Sequence, residues 1–327
     1  NANFNSAILV DANIINTNLQ NADLRNVILD DTTLESAILS GVDLSGKDLT
    51  GTNLSGADLS YTNLSGQDLS GRNLTGANLT GAFLFGTTLA GADLSYTSLP
   101  YAYLSGKDLT GTNLSGADLS HVNLDGVDLS GKDLTGTILK GVDLSYKDLT
   151  GTNLSGADLS YANLTGVDLS GRDLTGINLM AANLTNVNLS GVDLSGIDLT
   201  GVILTNVDLS GRDLTGTNFD TAKLEGTNLE NANLSAATFV DVDFTKIKNK
   251  SLAGADLTVA SLAYSNLSGV NLTDVILAGT NFYNADLSGQ DFTVTDSIND
   301  RAVTIASSYI EANLSNSNFE GVDLSPK

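Results

Sequence analysis

The chain has 327 residues, with 38 acidic against 15 basic side chains and a net charge of −23; such a polyanion repels nucleic-acid phosphates and anionic membranes and does not bind DNA through a basic face. It contains no cysteine, which excludes a disulfide framework and a thiolate metal site and leaves the redox compartment unread. No apolar run approaches the roughly eighteen residues of a membrane span.

From Phe4 to Phe244 every fifth residue is Leu, Ile or Phe, forty-nine in succession. A five-residue step turns an α-helix by roughly 500° and sends alternate side chains of a strand to opposite faces, so neither buries a single row. The row is buried if each pentapeptide forms one side of a coil and turns a corner. Basic or long polar residues two positions before the central leucine fall into two sets, Lys47, Gln67, Lys107 and Lys147, and Arg72, Lys132, Arg172 and Arg212. Spacings within each set are multiples of twenty, so four pentapeptides complete a coil. Coils stacked at about 4.8 Å would give a rod on the order of 70 Å long.

The repeated units GADLS, GTNLS and GKDLT resemble the A(D/N)LXX signature of the pentapeptide repeat proteins over essentially the whole chain. The resemblance implies an all-β fold, a right-handed quadrilateral β-helix. It also implies that the central residue and the one two before it point inward and the other three outward. Residues 1–245 are expected to form an uninterrupted repeat helix. The step from Phe244 to Leu252 is eight, so 246–251 is expected to be an inserted basic loop. Repeats continue over 252–292, an irregular coil or loop takes 293–311, and final repeats take 312–327. Repeats run at both ends without a visible capping helix. The expectation is therefore a fragment of a longer protein or end-to-end stacking into a filament, since solenoid ends otherwise expose core and strand edges. A soluble chain is expected, of extracellular or cell-surface location.

Three groups are the candidate functional residues. The inward-slot cations Lys47, Arg72, Lys107, Lys132, Lys147, Arg172 and Arg212 are too costly to bury unpaired. Their stems are expected to leave the core at corners and carry the charge towards acidic neighbours; an internal anion or ligand site is the alternative. An outward ladder of Asp48, Asp68, Asp108, Asp128, Asp148 and Asp168 reads as solvated surface, because one carboxylate per rung makes a poor Ca²⁺ cage. The aromatic residues Tyr61, Tyr101, His121 and Tyr161 share one column, Phe83 and Tyr103 another, with Phe85, Tyr96 and Pro100 near in sequence. They suggest a protein or glycan contact, local packing over a corner being the alternative.

One histidine, no P-loop, no dinucleotide fingerprint and no nucleophile elbow argue against an enzyme, and no cofactor or metal is expected. The sequence suggests a structural or interaction rod that binds a protein or itself, through its ends in a filament or within a surface protein. The family resemblance supplies an alternative, a DNA mimic that binds DNA gyrase or another type II topoisomerase.

Overall fold

The computed structural model describes residues 3–289. The expected irregular coil at 293–311 and the final repeats at 312–327 lie outside the described residues. The chain divides into two compact units, Asn1–Ala162 with Thr175–Asn178, and Asn163–Leu174 with Leu179–Lys327. Apart from two short 3₁₀ turns, the described backbone consists of turns joined by single-residue parallel bridges.

In the first unit the stretch Asn53 to Ala57 shows why the repeat has its composition. The Asn53 side-chain oxygen accepts from the N–H of Ser55 at 3.1 Å. The Leu54 carbonyl accepts from the N–H of Ala57 at 3.1 Å, closing a four-residue corner whose third member, Gly56, has φ of +64°. That geometry is a type II turn, and its left-handed third position favours glycine. Leu54 and Gly56 then donate to Asn73 and Thr75 of the next coil at 3.1 and 2.8 Å, while Asn53 donates to Thr32 of the coil before at 3.2 Å. Asp or Asn and Gly are thus each favoured by a separate bond or dihedral angle, and Leu by burial. Leu54, Leu59, Leu64 and Leu69 supply the four sides of one coil and are fully or almost fully buried. Each contributes about 1.5–3 kcal/mol through removal of its side chain from water.

The slot two residues before each leucine decides whether the ladder closes. One side is bridged continuously from Asn18 through Ile38, Asp58, Asn78, Ser98, Asp118, Ile138 and Asp158 to Asn178. Its slots from Ala37 to Ala157 hold only alanine or threonine. Where Lys47, Gln67, Arg72, Lys107 or Lys132 fills the slot, the next residue makes no bridge to the coil before. Small side chains let coils approach to ladder distance; long stems hold them apart.

The second unit repeats this construction, with a phenylalanine column in its core. Phe219 stacks on Phe239 at 4.8 Å and 4°, and Phe239 tilts against Phe244 at 5.1 Å. The inserted segment forms two 3₁₀ turns, Phe244–Lys246 and Lys248–Lys250. Ile247 is buried in the slot that its distance from Phe244 assigns to it, while Lys246, Lys248 and Lys250 are exposed. Lys248 donates downwards to Thr227, and the Lys250 carbonyl accepts from Asn271 above. Bridges spanning the insertion therefore step by twenty-three, as in Asn233 to Asp256, and return to twenty at Ser251 to Asn271.

Candidate interaction surfaces

Among the inward-slot cations, Lys107, Lys132, Lys147 and Arg212 end on backbone carbonyls. Lys107 and Lys147 donate through Nζ to the Thr87 and Val127 carbonyls at 2.8 and 3.2 Å, and Lys132 donates to the Leu109 carbonyl at 2.6 Å. In the second unit Arg212 donates to the Leu189 carbonyl at 2.8 Å and to that of Val192. The leucine carbonyl is the acceptor that slot threonines also use: Thr112 reaches Leu89 at 2.9 Å and Thr152 reaches Leu129 at 2.8 Å. Lys132 and the slot threonines are thus alternative donors to the same corner carbonyl, whereas Lys107 and Lys147 take the slot carbonyl of the coil before. All seven slot cations are half-buried, and burial pushes the Lys107 ammonium below its usual range. Arg72 leaves its Nε buried without a hydrogen-bond partner. An ion pair lies elsewhere, between Arg25 and Asp23 at 2.7 Å, and sequence reasoning did not single it out although the two residues are neighbours on one turn.

The acidic column is held ionised. The Thr88 hydroxyl, then the hydroxyl and N–H of Ser70, hold the Asp68 carboxyl down at about 2, with the charge of Arg72 adding to them. Hydrogen bonds from Thr50, Thr110 and Ser130 lower Asp48, Asp108 and Asp128, assisted by Arg72, Lys132, and Lys132 with Lys147 respectively. Asp168, in the second unit, is lowered by the N–H and hydroxyl of Ser170 and by Arg172. Asp148 accepts from the N–H of Thr150 at 2.8 Å. Arg72, Lys132 and Lys147 therefore act on Asp48, Asp68, Asp108 and Asp128 by charge, as a smaller cause behind the Ser and Thr hydrogen bonds. No group of three His, Asp or Glu residues that could hold a metal is found among the described residues. Many Ser and Thr hydroxyls are turned onto their own Asp, as in Ser95 on Asp93 at 2.7 Å and Thr135 on Asp133 at 2.5 Å.

The structure brings some aromatic residues together and separates others. Tyr101 and His121 stack at 5.0 Å and 11°. Tyr61 lies over Gly81, whose missing Cβ would meet the ring at 2.8 Å. Phe83, Phe85 and Tyr103 are strongly exposed on the same side of the coil. Tyr161 is apart from them, under the ammonium of Lys140 at 5.5 Å. The edge-on pair Tyr264 and Tyr283 at 5.5 Å in the second unit was not anticipated; their nineteen-residue spacing falls one short of a column and hid it.

A five-residue corner repeat with four units per coil, small inward slots and variable outward residues defines a β-solenoid. The family model for pentapeptide repeats (8 copies) matches residues 7–248 and 251–289, and the chain belongs to the pentapeptide repeat family. The two residues between these matched segments, 249 and 250, fall in the insertion. Among solved structures, the chain is similar to HetL, a pentapeptide repeat protein involved in heterocyst differentiation regulation from the cyanobacterium Nostoc sp. strain PCC 7120. That match has 28% identity over 79% of this chain and 88% of that one, with a TM-score of 0.30. It is also similar to QnrB1, a plasmid-mediated fluoroquinolone resistance protein, with 16% identity, 77% and 91% coverage and a TM-score of 0.18. Rfr23 from the cyanobacterium Cyanothece 51142 has 23% identity, 43% and 90% coverage and a TM-score of 0.14. No curated protein matches. No helix among the described residues is long and apolar enough to cross a membrane.

Proposed function

We propose that the chain is a non-enzymatic scaffold whose coil, of right-handed sense, presents side chains on its outward positions for contact with a protein, as a segment of a surface or extracellular protein. One observation carries this reading. The outward position before the central leucine accepts Asp, Asn, Phe83, Tyr103, Ile138 or Lys223, while the leucine interior beneath these residues stays buried. A frame that tolerates such exchange is suited to recognition, and catalysis would need a cleft and a base that the repeat does not supply. Self-association end to end is one form of the same scaffold, since each interior coil offers the next the same ladder. A photo-crosslinking residue placed in turn at positions 83, 108 and 138 in cells tests it: discrete crosslinked products are expected. Their absence at all three positions would remove the reading.

A second reading is favoured by the ionised column of Asp48, Asp68, Asp108 and Asp128: a DNA mimic acting on gyrase or another type II topoisomerase. A supercoiling assay decides it, since unaltered gyrase activity at micromolar protein rejects the mimic.

A further inference from the structure

The side carrying Phe83 and Tyr103 breaks the slot rule of the first unit. Every alanine or threonine slot from 22 to 157 closes its ladder bridge except Ala102, which lies between those two aromatic residues. The N–H groups of Gly81, Leu84, Gly86 and Tyr103 donate to no carbonyl among the described residues, whereas Leu64 and Gly66, one coil earlier, donate to Phe83 and Phe85 at 3.0 and 2.8 Å. Ala102 is small, so the cause is outside: two aromatic side chains follow one another where Asn or Asp stands in the adjoining coils. The rings beside these open groups face solvent, with Phe83, Phe85, Tyr101 and Tyr103 at 61%, 88%, 74% and 69% exposure. Local inconsistency of this kind is characteristic of functional surfaces.

Charge and order identify the occupant. Residues 61–66, 81–86 and 101–106 on this side include no charged residue, so the centre of the face sets no charge against its own copy, and carboxylate meets carboxylate only at the margins, where Asp43 faces Asp143. The outward column Asp43, Asn63, Phe83, Tyr103, Asn123, Asp143 reads the same from either end: acid, amide, aromatic, aromatic, amide, acid. A two-fold axis lying in this face, between the coils of Phe83 and Tyr103, sets Phe83 of one copy against Tyr103 of the other. It also sets Asn63 against Asn123. Self-complementarity of this sort is what an isologous contact requires. At about 150–250 Å² per whole aromatic residue, the exposed rings offer on the order of 600 Å², near the roughly 800 Å² per partner of a standard interface.

We propose that this side is the interface of an antiparallel homodimer of the chain. The proposal rests on the scaffold reading in taking the side as a contact surface. The absence of native cysteine makes the test clean. Asn63→Cys and Asn123→Cys chains, mixed and oxidised, should form a covalent dimer, while either variant alone should not. Within one chain the two positions are three coils, roughly 14 Å, apart, beyond disulfide reach. Phe83→Asn/Tyr103→Asn restores the ordinary outward residue, so circular dichroism and Tm should hold while the dimer dissociation constant rises at least about tenfold. A wild-type chain monomeric in sedimentation up to about 100 µM, a dimer indifferent to the double substitution, or crosslinking by Asn63→Cys alone as fast as in the mixture overturns the proposal. A monomer that still gives the crosslinked products at 108 and 138 loses the dimer and keeps the scaffold.

Discussion

At the residue scale, the lysine in an otherwise apolar slot has an account that the sequence showed only in part. Its spacing of twenty and the need to keep its charge out of the core were legible, because periodicity and desolvation are both read from residue types. The acceptor was not legible, because the Leu109 carbonyl is a backbone group identical in every repeat. Since Lys132 and slot threonines use the same carbonyl, Lys132→Thr should keep that bond and let the ladder close between Asn113 and Asp133. A gain of about 1 kcal/mol is expected in urea unfolding at unchanged m-value; a loss would mean that the long stem is needed as filling. Leu134→Ala, fully buried one step along, should cost about 2–5 kcal/mol.

The carboxylate side of the same wall makes a prediction in pH. The Asp68 carboxyl is held in the folded chain at about 2, below the ordinary carboxylate range. A depressed folded pKa contributes stability that is present above the unfolded value and is lost as pH falls through the folded one, here from about 4 to about 2. The Thr88 hydroxyl is the largest cause, so Thr88→Val should move the Asp68 carboxyl carbon titration upwards in NMR and shift the acid side of the stability curve to higher pH. An unmoved titration would assign the shift to Ser70 and Arg72 instead.

At the scale of the element, the insertion shows how register survives an irregularity. The eight-residue step was plain in the sequence, and so were its lysines. The division of labour was not: Ile247 keeps the inward slot and Lys250 rejoins the ladder, with Asn249 at φ +55° and Lys250 at +48° making the turn. Deleting Lys248 to Lys250 joins Ile247 to Ser251 and places Leu252 five residues after Phe244, an ordinary pentapeptide. The shortened chain should fold with equal or higher Tm, because a loop closure is removed and two left-handed residues give way to one, Lys246 at the ordinary corner position. A destabilised product would show that the insertion relieves a misfit between the phenylalanine core and the coil above. Similar logic explains why the open seam at Ala102 was invisible beforehand: the slot residue obeyed the rule, and the violation came from the outward neighbours.

At the scale of the whole molecule, two electrostatic terms oppose each other. Carboxylates one coil apart, at about 4.8 Å, repel by about 1 kcal/mol in water, while the cations at Arg72, Lys132 and Lys147 attract them. With 38 acidic against 15 basic residues, repulsion is the larger sum and acts over longer distances, so salt should remove more of it than of the attraction. Raising NaCl from about 0.02 to about 0.3 M, which brings the Debye length below 8 Å, is therefore expected to raise Tm. Asp108→Asn/Asp128→Asn should shrink that salt response by relieving the column in advance. A Tm that falls with salt would reverse the order of the two terms and make the inward cations the dominant electrostatic support of the coil.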